Sequence, residues 1–180
     1  MKIKKFEAQD HQYGHKPLIV NDKLSVENHE YIFETLTKVS PSIAWELILE
    51  FIDDYSFIKK ESQKVVGYSP KIFPFDIGNA LNALKSIAEA LKEITVTQDA
   101  DGFVFGNYKP FLQIVSDNGF CTNRSDELYM IILDYTTFKL RELSIDPNEK
   151  RAKTAFEVVI FMEAFADGVK EIRHVPIFNS

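Results

Sequence analysis

A single cysteine, Cys121, stands among 180 residues. That excludes an intrachain disulfide framework and fits a reducing, cytoplasmic environment. Glycine and proline number seven each and are scattered. No linker or low-complexity run divides the chain, and a chain of this length ordinarily makes one domain, here residues 1–180. Long apolar runs are also missing: the longest uncharged one towards the carboxyl end lies between Glu157 and Glu163, whereas a membrane span needs about 20 residues. The opening MKIKKFEAQD is basic but has no apolar core, so it does not read as a secretory leader. Positive charge is in deficit, with a formal net charge of −6. This disfavours nucleic acid and anionic membranes as partners and favours a protein with a basic surface.

Catalytic signatures are absent as well. The chain has no phosphate loop, dinucleotide-binding glycine pattern, nucleophile elbow or kinase signature. His11 and His15 sit four apart beside Asp10, but Gly14 between them predicts a loop, and no further ligand follows at metal-binding spacing. His29 beside Glu30 lacks the Cys-x-x-Cys that a zinc deaminase requires. If Gly102 of Asp99-Ala100-Asp101-Gly102 took the sixth place of a calcium loop, Tyr108 would stand where a glutamate must. Cys121 reads as a small buried hydrophobe. No catalytic, cofactor-binding or metal-ligating residue is therefore assigned.

What the chain does hold is aromatic bulk, with fifteen Phe, seven Tyr and one Trp, and several amphipathic periods. Ser25 predicts a helix to Val39 with Tyr31, Ile32, Leu36 and Val39 inward. Ser40-Pro41, a cap followed by a first-turn proline, predicts a second helix with Ala44, Leu47, Ile48, Phe51, Tyr55 and Ile58 buried. The tight break between them suggests an antiparallel hairpin. A third helix follows Asp76, with Ile77, Ala80, Leu81, Leu84, Ile87, Ala88, Leu91 and Ile94 at regular spacing. The period then changes to two. Ile94–Thr97 and Phe103–Phe105 flank a turn, Phe111–Val115 ends at Asn118-Gly119, and Leu128–Leu133 and Thr137–Ile145 follow. Strands are also expected at Ile3–Phe6 and Leu18–Val20. Finally, Thr154–Ile172 carries apolar residues on most sides, including Phe156, Val158, Ile160, Phe161, Met162 and Phe165. It reads as a central buried helix, entered through Asp146-Pro147-Asn148-Glu149.

The expected fold is α+β. An antiparallel sheet of about four to six strands is packed on one face by helices around the central C-terminal helix. In chain order the parts are a helical segment 25–94, a β-rich segment 94–145 and a helix 147–173.

The unbalanced feature is acidic. Glu46, Glu50, Asp53 and Asp54 share a helix face with no basic residue interleaved, and Glu27, Glu30 and Glu34 repeat at helical spacing on the preceding helix. A solvated face would produce the same pattern. The functional alternative is a docking surface for a basic groove. On that alternative the expected function is a small acidic binding protein that occludes a partner's cationic site, as an immunity protein inhibits a toxin enzyme. Two other classes fit the same chain. One is a small-molecule enzyme using Glu163, whose helical neighbours are mostly apolar, with a histidine as acid–base pair. The other is a homodimeric scaffold joined through surplus apolar surface on the last helix.

Overall fold

A computed structural model of the chain describes residues 18–20, 29–62, 77–98, 102–120 and 124–172. The elements run β1 (Leu18–Val20), α1 (Glu30–Lys38), α2 (Pro41–Ser62), α3 (Ile77–Lys92), β2 (Thr95–Gln98), β3 (Phe103–Gly106), α4 (Lys109–Asp117), α5 (Ser125–Ile145) and α6 (Glu149–Lys170). The expected Ile3–Phe6 strand, Ser25, Asp99–Asp101, Cys121 and three of the four histidines, His11, His15 and His174, lie outside the described residues.

The described residues are mostly helical, which overturns the expected four- to six-stranded antiparallel sheet. The sheet has three short strands in the order β1-β3-β2. It is mixed: β3 pairs antiparallel with β2, Val96 opposite Phe105, and parallel with β1, Ile19 opposite Val104.

All three further strands expected among these residues are helical: Phe111–Val115 lies in α4, and Leu128–Leu133 and Thr137–Ile145 both lie in α5. In α5, Leu128, Ile131, Ile132 and Tyr135 are buried. Their spacing of i, i+3, i+4 and i+7 defines one helical face. Local β-preference spans only about 1 kcal/mol and yields to burial of such a face. Thr136 and Thr137 are accommodated because their hydroxyls donate back to the carbonyls of Ile132 and Leu133, each at 2.8 Å.

In α4, Phe111, Leu112 and Val115 are buried. Asn118-Gly119 ends this helix instead of turning a hairpin. Gly119 has φ 72, its amide donates to Ser116 at 2.9 Å, and the Phe120 amide donates to Val115 at 3.2 Å. These two bonds form a Schellman stop, with Phe120 buried beneath it.

Ser40 caps α2, its hydroxyl accepting from the Ile43 amide at 3.4 Å. α6 begins two residues later than its sequence suggested. Asn148 is the cap and accepts from the Arg151 amide, so Pro147 precedes the helix.

α2 packs on α3, while α6 packs on α5, α1 and α2. α1 therefore docks on the last helix and does not form the expected hairpin with α2. One cluster of buried side chains runs through all six helices and β3. Aromatic rings join its parts, with Phe33 4.7 Å from Phe105 and Phe51 4.9 Å from Tyr135 between ring centres. Tyr31, Phe156 and Ile160, expected inside, are exposed. Among the described elements α6 packs mainly on α5, α1 and α2, and Phe156 and Ile160 stay exposed on its remaining side.

Candidate functional site

The acidic face of α2 survives folding, divided into two parts. Glu46, Glu50 and Asp53 are exposed, and among the described residues none of them enters an ion pair. Asp54 turns towards α5, where the ammonium of Lys139 lies 2.7 Å from its carboxylate and 3.2 Å from that of Glu142. Tyr135 donates a second hydrogen bond to Asp54 at 2.9 Å. In return Tyr55 of α2 donates to Asp134 of α5 at 3.0 Å. Two tyrosine–carboxylate bonds thus cross between the helices in opposite directions and fix the rotation of α2 about its axis. That rotation sends Asp54 inward and leaves the other three acids outside.

Lys139 is 17% exposed, so its charge acts in a partly desolvated setting where pairing is strong. Burial, with the Asp54 charge and hydrogen bond behind it, pushes the Tyr135 hydroxyl well above its ordinary range, and it stays a donor. Glu50 is solvent-exposed at the rim, yet the walls strip part of its hydration. This desolvation, then the charges of Asp54 and Glu157, raise its pKa above 4.5 against the lowering effect of Lys139.

A groove of about 730 Å³ lies between α2, α5 and the start of α6. Glu50, Asp53 and Asp54 line one wall, and Lys150, Arg151 and Thr154 line the other. Arg151 is held 3.8 Å from Asp146.

The first-helix acids do not extend this surface as a block. Glu34 is paired with Lys38 at 2.8 Å, one turn along α1. Glu30 opens α1, and Glu27 lies outside the described residues. Glu163 is exposed on α6 and takes no part in the groove. Among the described residues no cluster of three or more His, Cys, Asp or Glu is arranged to hold a metal ion. No described helix is long and apolar enough to cross a membrane.

One residue missed from the sequence belongs with the acids. Phe57 is 61% exposed on α2. It follows Glu46, Glu50 and Asp53 at spacings of four, three and four, which places all four on one stripe. Exposed Ile43 stands one turn before Glu46. The i+4 step from Asp53 to Phe57 is legible in the sequence, where Phe57 stands outside the apolar stripe that ends at Ile58.

Comparison of the chain with protein-family models, with curated proteins and with solved structures gives no match.

Proposed function

We propose that this chain is a binding protein whose α2 ridge docks into a cationic cleft of a protein partner, inhibiting it by occlusion as an immunity protein inhibits a toxin enzyme. The observation that carries this reading is the ridge itself: Glu46, Glu50 and Asp53 are exposed in a row that ends in exposed Ile43 and Phe57. A solvated face needs no large aromatic at its end. A docking face does, because apolar anchors supply most of the affinity while surrounding charge steers the encounter and sets specificity. Asp54, neutralised by Lys139, acts in this scheme as a fastener that orients the ridge.

The test is association kinetics with a partner captured on the immobilised protein and then purified. Replacing Glu50→Lys and Asp53→Lys together should slow association about tenfold at low ionic strength and flatten its salt dependence. Phe57→Ala should instead speed dissociation. Kinetics indifferent to all three changes remove α2 as the docking face.

A further inference from the structure

The apolar surface left uncovered elsewhere is not scattered. Among the described residues, five of the eight large exposed hydrophobics lie on α5 and α6: Leu133, Leu140, Ile145, Phe156 and Ile160. On α6 the exposed positions Glu149, Lys153, Phe156, Ile160, Glu163 and Asp167 are spaced four, three, four, three and four apart. That is the spacing of a coiled-coil seam, and it presents a straight stripe to one neighbouring helix. Tyr129 of α5 donates to Asp167, and the Lys170 ammonium lies 5.3 Å above the Tyr129 ring. This contact sets the antiparallel register of α5 against α6 and brings Leu133 and Leu140 alongside the Ile160 and Phe156 turns. The result is one apolar strip across two helices.

The charges on the stripe are arranged symmetrically about its centre. Lys153 lies three residues before Phe156, and Glu163 lies three residues after Ile160. We propose that a second copy of this chain covers the strip, the two α6 helices crossing antiparallel about a two-fold axis between Phe156 and Ile160. In that register Phe156 meets the partner's Ile160, and Lys153 meets the partner's Glu163, each contact occurring twice, as an isologous interface requires. Glu149 faces the partner's Asp167 at the outer ends, where solvent screens the repulsion over about 10 Å. α6 has 22 residues, roughly 33 Å at 1.5 Å per residue. With α5 beside it the face is on the order of 600 Å² per copy, near the ~800 Å² of an ordinary protein interface. The α2 ridge shares no residue with this strip, so the association does not depend on the ridge binding anything.

Sedimentation equilibrium of the full chain decides the matter. The expected result is a reversible species of twice 20.7 kDa. Phe156→Glu should raise the dissociation constant at least about tenfold with an unchanged circular dichroism spectrum, since the side chain is already half in water. Lys153→Glu alone, or Glu163→Lys alone, should weaken association about fivefold to tenfold, and the double exchange should restore it. A single 20.7 kDa mass up to the solubility limit overturns the proposal and leaves the strip to another occupant. A dimer indifferent to Phe156→Glu, or a double exchange as weak as either single one, overturns it equally.

Discussion

Carboxylates one helical turn apart repel each other by about 0.2–0.5 kcal/mol, and α2 places Glu46, Glu50 and Asp54 in such a row. Folding relieves one end of it, because Lys139 reaches Asp54 from α5. Glu50 keeps the strain. Its carboxyl holds a proton more tightly in the folded chain than in the unfolded one, so folding takes up protons between the ordinary value of 4.5 and the raised native value. The stability this group contributes is present below 4.5 and is lost as pH rises through the native value. Glu50→Gln removes a charge that desolvation and then the Asp54 and Glu157 carboxylates disfavour. The variant should be more stable than the parent by about 0.5 kcal/mol at pH 7, with the gain closing as pH falls below 4.5. Urea midpoints at neutral and acid pH measure it, and a variant less stable at pH 7 contradicts the account.

At the scale of elements, the same dipeptide can end a helix or turn a hairpin. Asn118-Gly119 supplies a left-handed residue either way, and the apolar run Phe111–Val115 is short enough to fit a strand or a helix. Burial of Phe111, Leu112 and Val115 on one helical face decided between them. Gly119→Ala would keep that face but force a side chain into φ 72. The expected cost is about 1 kcal/mol, read as a lower denaturation midpoint with no loss of helical content. By contrast, α2 and α3 were legible because their apolar stripes run long enough to separate a period near 3.6 from a period of two. α5 was not, because its run breaks at Asp134 and at Thr136-Thr137. Only the partners Tyr55 and Ile132 show why those polar groups belong in a helix.

At the scale of the molecule, α6 is held by close approach to α1. A Cβ placed on Gly168 would meet the backbone Cα of Ile32 at 3.0 Å and its side chain at 3.0–3.1 Å. Backbone cannot step aside as a flexible side chain can. Gly168→Val should therefore destabilise the fold by about 2–3 kcal/mol, seen as a lower melting temperature. A variant as stable as the parent would mean that α1 does not bear on α6. The same packing explains why α6 is not the central buried helix that apolar residues on most of its sides suggest. Its apolar residues are more numerous than its three neighbours can cover, and Phe156 and Ile160 remain outside.

Read alone, the order of amino acids determined the helices α2, α3 and α6 and that α2 carries an unbalanced row of acids, because both depend on spacing within one element. It also determined the hairpin at Thr95–Gln98 and Phe103–Gly106. Tertiary structure decided which acid is neutralised, which short apolar runs coil into helices, and which greasy flank faces water. These outcomes depend on groups far apart along the chain, such as Lys139 beside Asp54 or Ile32 beneath Gly168. No local period records them, because the energies involved arise only when distant faces exclude water together.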